Sequence, residues 1–242
     1  MYRKIKIGKN DICLKCREEN KKESSNLSTP LSYWIVGEKF HEDPHKILFV
    51  GKTARGNEEE IGAVIDGLFR DGTQTGEELF REKGWAYWKY TRDIVLKNYE
   101  NVDDPLKHIA FTNLIKCNNS DTVDRTLFST KHFCLDELQV FWKELEIIDP
   151  KKVIFYTGWE YDNFISDHLC NLRLNFEDIT NRYYKVEIGK KQMPWWHRII
   201  YDDGSNEKWE FLRIGHPERM KEEDYVNKVY EWIKNGTNPS SG

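Results

Sequence analysis

The stretch Lys46-Ile47-Leu48-Phe49-Val50-Gly51 decides the fold class of this chain of 242 residues. Four consecutive apolar side chains leave no polar face, and a glycine ends the run. A strand with one face in water alternates apolar and polar residues, whereas a strand covered on both faces does not. The stretch therefore predicts a buried strand in the middle of a parallel sheet.

Three similar apolar runs follow along the chain, at His108–Ile115, Val153–Thr157 and Phe211–Ile214. Segments with helical patterns alternate with them, the longest at Glu77–Asn98, Phe133–Ile147 and Glu222–Lys234. Alternating strands and helices favour parallel strands with helices on both faces of the sheet. We therefore expect an α/β three-layer sandwich with a central, mostly parallel, four-stranded sheet flanked by helices.

Residues 183–211 have a different pattern. Three short segments rich in aromatic and β-branched residues follow one another, at Tyr183–Ile188, Trp195–Tyr201 and Lys208–Phe211. Asp203-Gly204 marks a turn between the last two. This pattern predicts an antiparallel β-hairpin added to the parallel sheet.

The composition excludes several classes of protein. Aromatic residues make up 14% of the chain and include nine Trp, which is too rich for a disordered chain. No apolar run approaches the ~20 residues of a membrane-spanning helix. The first residues also lack the apolar core of a signal peptide. We therefore expect a soluble, cytoplasmic monomer with no membrane partner.

Positive charge is concentrated near the N-terminus. Residues 1–22 hold eight Lys or Arg and three Asp or Glu, although the whole chain has a net charge of −4. A basic arm can contact phosphates, but an ordinary solvated terminus has the same composition. We expect a single domain over residues 1–234, with this basic segment at 1–32, and a flexible tail at 235–242.

The five cysteines argue against a disulfide framework, because their number is odd and we expect the chain to be intracellular. Cys13-Leu14-Lys15-Cys16 has the spacing with which two thiolates reach one metal or cluster. With Cys117 and Cys134 it could form a [4Fe–4S] site or a zinc site, and scattered reduced thiols are the alternative. Cys170 lies in a helical pattern and is expected to be a small packed side chain.

Polar residues follow the predicted strands at their carboxyl ends, where parallel sheets bind ligands. Gly51-Lys52-Thr53 mimics the end of a nucleotide-binding P-loop, but Lys46 stands where that motif needs a glycine. Asn113 could read the edge of a nucleobase or hydrogen-bond the end of its own strand. His216 could donate to a developing anion or have a structural role.

Two further stretches are candidates for function. Glu58-Glu59-Glu60 could supply a carboxylate that positions water or stabilises a cationic sugar, although an acidic first helical turn has the same pattern. Aromatic residues from Phe80 to Tyr90 alternate with Lys and Arg. Such residues can stack on unpaired bases, and at helical spacing they can equally form a core.

The motifs occur in a definite order along the chain. Cys13-x-x-Cys16 precedes the strand Ile47–Val50 and its loop Gly51–Gly56; Thr112-Asn113-Leu114-Ile115-Lys116-Cys117, Cys134, a strand ending at Gly158, and Gly215-His216-Pro217-Glu218 follow. In this order they resemble the uracil-DNA glycosylase superfamily, and within it the iron–sulfur type (family four). The resemblance runs from about residue 13 to residue 233.

The resemblance implies a uracil-DNA glycosylase-like fold and a role for each matching residue. His216 matches the residue that stabilises the departing base, and Lys52 stands where the family has a water-orienting Glu, a task that Glu58 could take over. The implied base-binding residues are Asn113, Phe80, Gly51 and Thr53. The implied DNA contacts are Arg55 and Arg219. The implied ligands of a structural [4Fe–4S] cluster, with zinc as the alternative, are Cys13, Cys16, Cys117 and Cys134.

The implied activity is that of a DNA glycosylase. Such an enzyme flips a uracil or modified base out of DNA and hydrolyses its N-glycosidic bond, leaving an abasic site, in base-excision repair or in defence against modified phage DNA. Lys52, Arg55 and Glu218 depart from the family pattern and favour a modified base over uracil. The alternatives are a diverged member that binds nucleic acid or a damaged base without cleavage, and a zinc-stabilised domain unrelated to DNA.

Overall fold

The computed structural model describes residues 10–23, 25, 27, 35–53, 84–120, 125–218 and 220–236. The α-helices are α1 (Asp11–Lys22), α2 (Ala86–Asn98), α3 (Phe128–Lys131), α4 (Val140–Ile148), α5 (Asp162–Asn171) and α6 (Glu222–Asn235), and a π-helix spans His132–Glu137. The strands are β1 (Ile35–Val36), β2 (Ile47–Gly51), β3 (Ile109–Asn113), β4 (Lys152–Phe155), β5 (Asn175–Asp178), β6 (Lys185–Ile188), β7 (Lys191–Tyr201) and β8 (Glu207–Ile214). Four predicted site residues, Arg55, Glu58, Phe80 and Arg219, lie outside the described residues.

Seven strands lie side by side in the order β1-β3-β2-β4-β8-β7-β5, and β6 pairs with β7 off this path. Strands β2, β4 and β8 are parallel, with Leu48 opposite Val153 and Ile154 opposite Leu212. Every residue of β2 is buried. The prediction of a mixed α/β fold with a central, mostly parallel sheet flanked by helices is confirmed, but the sheet has seven strands rather than four.

The predicted hairpin explains part of the larger number of strands. β7 and β8 pair antiparallel, and Asp202 closes their turn by accepting the backbone N–H groups of Gly204 and Asn206, each at 2.9 Å. On its other side β8 pairs with β4 in parallel. β8 therefore belongs to the hairpin and to the parallel sheet at once, and β5 extends the sheet beyond β7 with four exposed residues.

The helices agree with their predicted positions to different degrees. α6 matches the predicted segment and ends at Gly236, whose φ of +58° suits glycine. The single helix predicted at 133–147 is instead divided. A π-helix comes first, in which the N–H of Leu138 reaches back five residues to Phe133, and α4 begins only after Gln139 turns left-handed at φ +55°.

Within the described residues the chain divides into two compact units. The first draws on residues 1–35, 51–76 and 111–149, and the second on 36–50, 77–110 and 150–242. The second unit has an aromatic core in which Trp195, Trp209 and Trp232 are at most 2% exposed. The first unit buries the charged residues Lys116 and Glu144 beside its apolar ones. None of the described helices combines the length and the hydropathy needed to cross a membrane.

Candidate functional site

Four of the five cysteines line one cavity in the first unit. Cys13 and Cys16 are three residues apart on α1 and therefore share one face of the helix. Cys117 follows β3, and Cys134 lies on the π-helix. The cavity is partly open to solvent, and its other lining residues include Ile12, Leu27, Phe133 and Leu138. The fifth cysteine, Cys170, is exposed on α5, so the prediction that it is packed is wrong.

Local structure orients the two cysteines of α1. The side chain of Asn10 caps the helix by accepting the N–H of Cys13 at 2.8 Å. One turn beyond Cys16, the buried Asn20 donates to the carbonyl of Cys16 at 2.8 Å and accepts from Asn119 and Thr130. These hydrogen bonds join α1 to α3 and to the segment after Cys117. This polar network was not predicted from the sequence, although a run of polar residues, Asn118-Asn119-Ser120, directly follows Cys117 and could have indicated it.

The cavity disfavours thiolates unless a positive charge compensates them. Burial, and then the neighbouring Cys134 and Cys13, raises the pKa of Cys16 to about 11. Burial also raises the pKa of Cys117 and of Cys134. A metal centre reverses this effect, because a coordinating thiol loses its proton. The donor set, four sulfurs around one cavity, fits a four-thiolate centre, although no three His, Cys, Asp or Glu among the described residues form a ready single-ion site.

Asn113 ends β3, and a buried ion pair holds its backbone. The Nζ of Lys116 donates to the carbonyl of Asn113 at 2.5 Å, to Oγ1 of Thr112 at 2.9 Å and to Oε2 of Glu144 at 2.8 Å. Lys116 is 1% exposed and Glu144 is fully buried. Burial lowers the pKa of Lys116 to about 7 and raises that of Glu144. All three Nζ protons therefore have acceptors at the end of the strand that carries Asn113.

Neither Lys116 nor Glu144 was among the predicted site residues. The signal for Lys116 was its place between an apolar pair and Cys117, since a lysine inside such a run needs a buried partner. Sequence alone could not identify that partner, because Glu144 lies on α4, 28 residues later in the chain.

The end of β2 contacts the segment between Asn113 and Cys117. The carbonyls of Gly51 and Lys52 accept the N–H groups of Leu114 and Ile115, each at 2.9 Å. The hydroxyl of Thr53 donates to the carbonyl of Cys117 at 3.0 Å. The predicted residues Gly51, Lys52 and Thr53 thus lie beside the Asn113–Cys117 segment. Their observed hydrogen bonds hold that segment in place.

His216 belongs to the second unit, in the loop after β8. Its Nδ1 accepts the backbone N–H of Glu218 at 3.2 Å, so a neutral ring carries its proton on Nε2. The ring stacks on Tyr87 of α2 at 6.1 Å between centroids, with 20° between the planes. The carbonyl of the preceding Gly215 accepts the hydroxyl of Tyr225 at 3.1 Å. Side chains from α2 and α6 thereby hold the His216 loop.

Tyr87 connects His216 with the aromatic core. Its ring meets Tyr156 edge to face at 5.2 Å, and the hydroxyl of Thr91 donates to the hydroxyl of Tyr156 at 3.0 Å. Burial raises the pKa of Tyr156, so this phenol stays neutral. Of the aromatic residues at 85–90, Tyr87 therefore contacts the buried Tyr156 and also stacks on His216, whereas Trp85 is exposed.

The structure thus brings the four predicted cysteine ligands together and holds Asn113 and His216 in ordered positions within their own units. No protein-family model matches this sequence, and no curated protein matches it either.

Proposed function

We propose that this chain is a DNA glycosylase that removes a flipped-out base by hydrolysis of its N-glycosidic bond. The observation that carries the proposal is the meeting of Cys13, Cys16, Cys117 and Cys134 around one cavity. The motif order described above requires this meeting, although Cys16 and Cys117 are about 100 residues apart. If the cysteines were scattered reduced thiols, there would be no reason for four of them to line one cavity.

Cleavage of an N-glycosidic bond leaves an anionic base and a sugar with the character of an oxocarbenium ion. We assign the stabilisation of the leaving base to His216; because Nδ1 accepts from Glu218, the neutral ring carries its proton on Nε2, and this N–H would donate to the base. A neutral imidazole suits this step, because its N–H stabilises the anion by a hydrogen bond and no proton needs to be transferred. The aromatic contact with Tyr87 restricts the rotation of the ring.

Asn113 is assigned to base recognition. Its side-chain amide offers both a donor and an acceptor, as the edge of a pyrimidine requires. Lys116 holds the backbone carbonyl of Asn113, which fixes the end of the strand that carries this amide. Glu58 is assigned to the orientation of water and to the stabilisation of the sugar cation, with Lys52 and Arg55 on phosphates or on a charged base modification.

The four cysteines would hold a [4Fe–4S] cluster, with zinc as the alternative. The group would supply a structural cross-link between α1 and the segment after Asn113, with no part in bond cleavage. The hydrogen bonds of Asn20 to Asn119 and to Thr130 join the same elements, which supports a structural role. The colour and the iron and zinc content of the purified protein distinguish the two metals.

Excision is tested with single- and double-stranded oligonucleotides that carry uracil, hypoxanthine or bulky modified bases. Alkali then cuts the strand wherever a base has been lost. We expect cleavage with at least one base, and a loss of about 100-fold or more in rate in His216→Ala, the typical effect of removing one such donor. Asn113→Ala should weaken discrimination among bases. If both variants cut as fast as the parent, the assignment of these residues is wrong.

Lys52 favours a second candidate, a diverged member that binds a damaged base or nucleic acid without cleavage. A lysine cannot orient water as a carboxylate does, and Lys52 directly follows β2. The same assay separates the two candidates. Binding to oligonucleotides without any abasic product across the whole panel would favour the second.

A further inference from the structure

The second unit carries an exposed aromatic surface that the proposed site residues do not include. Trp159 is 49% exposed and Tyr183 is 67% exposed, and each has a cation over its ring. Nζ of Lys185 lies 5.4 Å from the ring centre of Trp159, and the guanidinium of Arg182 lies 4.9 Å from that of Tyr183. We call these four residues, Trp159, Arg182, Tyr183 and Lys185, the Trp159–Tyr183 surface.

Hydrogen bonds join Tyr183 to the start of α5, which follows Trp159 in the chain. Arg182 donates through Nη1 to the side chain of Asn163 at 2.9 Å and through Nη2 to the hydroxyl of Tyr183 at 2.7 Å. Asn163 lies in the first turn of α5, directly after the short 3₁₀ helix Gly158–Tyr161 that contains Trp159. Trp159 and Tyr183 therefore belong to one continuous patch.

The surface rests on a rigid base. Arg213, which is 1% exposed, forms a two-pronged ion pair with Asp162 and donates to the backbone carbonyl of Arg182 at 2.7 Å. The side chain of Asn181 accepts the N–H of Tyr183 at 2.9 Å, and Tyr184 is held by β7. A ring held in this way loses little conformational entropy when a ligand stacks on it.

The surface begins at the ligand-binding edge of the sheet. β4 and β8 are parallel, with Phe155 opposite Arg213, so their carboxyl ends lie at the same edge. Gly158 and Trp159 follow β4, and His216 follows β8. Gly158 has φ +65° and open space around its α-carbon, so a tight turn presents Trp159 to solvent while Tyr161 of the same helix stays buried.

We propose that the Trp159–Tyr183 surface binds unpaired nucleotides of the DNA strand beside the base held at His216. This inference rests on the proposed function, because it takes DNA as the ligand. Each ring has one face covered by a cation and the remainder exposed, which suits a stacked base, and Arg182 and Lys185 suit the neighbouring phosphates. A protein partner is the competing occupant, and the experiment below separates the two.

The test measures the affinity of the full chain for a fluorescein-labelled single-stranded oligonucleotide without any target base, and for its duplex, by fluorescence anisotropy. We expect tighter binding to the single strand. The double variant Trp159→Ala/Tyr183→Ala should lose about 25-fold or more in affinity for the single strand, since stacking contributes about fivefold or more per base. The duplex should be affected less.

Three controls distinguish stacking from general damage. The variant Trp159→Phe/Tyr183→Phe keeps an aromatic ring at each position and should bind the single strand within a few-fold of the parent. Phe128→Ala removes an aromatic side chain that is 74% exposed in the first unit and should have no effect. Lys185→Ala should reduce the slope of log affinity against log salt by about 1, whereas Lys190→Ala in the neighbouring turn should not.

Two results would contradict the proposal that this surface binds DNA. One is a parent protein that does not bind the single strand at low salt, and the other is a double Ala variant that binds it as tightly as the parent. Failure of the proposed function is distinct, because it is read from abasic product. Excision with unchanged affinity in the double variant contradicts the surface alone. A loss of affinity in the double variant without excision by the parent contradicts the glycosylase activity alone.

Discussion

The two units of this protein are stabilised by different means, and the comparison shows where each is vulnerable. The second unit buries Trp195, Trp209 and Trp232 against the strands of the hairpin and the central sheet. The first unit places four thiols around one cavity and buries a lysine and a glutamate beside its apolar residues. Apolar burial stabilises without a partner, whereas buried polar groups stabilise only when each one is matched.

Each unit also contains one buried ion pair beneath a candidate functional segment. Lys116 and Glu144 hold the end of the Asn113 strand, and Glu144 Oε1 has no hydrogen-bond partner among the residues that the structure describes. Arg213 binds both carboxylate oxygens of Asp162 and supports the turn at Arg182. The planar guanidinium matches a carboxylate with two bonds, while a lysine ammonium makes three separate ones. The comparison leads to four predictions.

The largest effect is expected from the loss of a cysteine ligand. Cys134→Ser should abolish the bound iron or zinc and destabilise the first unit, since a structural metal contributes on the order of 10 kcal/mol. Hydrogen exchange should accelerate in α1 and remain slow in α6, because α1 carries two of the proposed ligands and α6 carries none. The matched control is Cys170→Ser, which changes an exposed thiol and should retain both metal and protection. Equal acceleration in both helices would contradict a difference between the units.

Lys116→Met should be the next most severe change. It leaves Glu144 buried without a countercharge, which costs about 3–5 kcal/mol in the free energy of unfolding. Urea denaturation followed by circular dichroism measures the loss. The double variant Lys116→Met/Glu144→Leu removes the orphaned charge and should recover most of the stability. Its base discrimination should still be impaired, because the carbonyl of Asn113 has lost its donor; a double variant that discriminates normally would rule out a positioning role for Lys116.

Arg213→Lys should have a smaller effect. Lysine keeps the charge opposite Asp162 but cannot reproduce the two parallel bonds together with the bond to the carbonyl of Arg182, so we expect a loss of about 1–3 kcal/mol. Thermal unfolding measures it. Arg182→Lys, which alters an exposed contact of the same turn, provides the comparison and should change stability by less than about 1 kcal/mol. If the two variants were equally destabilised, the buried pair would not be the base of the turn.

The smallest effect at neutral pH is expected at a buried histidine of the second unit, whose contribution to stability depends on pH. His168 of α5 is 4% exposed, and burial lowers its pKa from 6.5 to about 4. The unfolded chain therefore binds a proton more readily than the folded one between these values, so stability falls as the pH falls from about 6.5 to 4. Urea midpoints across this range measure the slope. His168→Gln should flatten it, and an unchanged slope would show that another group titrates.

The sequence predicted the local elements well, because their patterns are local. The run Ile47–Val50 and the helix at 222–234 are where apolar spacing put them. The helix predicted at 133–147 was only partly right. A π-helix inserts a residue into the turn that carries Cys134, and a left-handed Gln139 separates it from α4. Neither feature interrupts the apolar pattern, so neither could be read from it.

The candidate site was predictable where residue type alone suggests chemistry. The four cysteines that the sequence predicts to share a site line one cavity, and Asn113 and His216 follow strands at their carboxyl ends, where parallel sheets typically bind ligands. The sequence did not predict a role for Lys116, Glu144 or Arg213, because a charged side chain is normally exposed to solvent. Only their burial makes them structural. The strand count was underestimated for a similar reason, since nothing in β8 itself shows that it pairs on both sides.

The sequence by itself therefore determined which segments are strands and helices, and which residues could carry chemistry, because hydrophobic period and side-chain type act over a few residues. The tertiary structure decided which of those residues meet. Cys16 approaches Cys117, and Arg213 reaches Asp162 and Arg182, only because the sheet and its helices bring distant segments together. Contacts across such separations depend on how whole elements pack, and the spacing along the chain does not encode that packing.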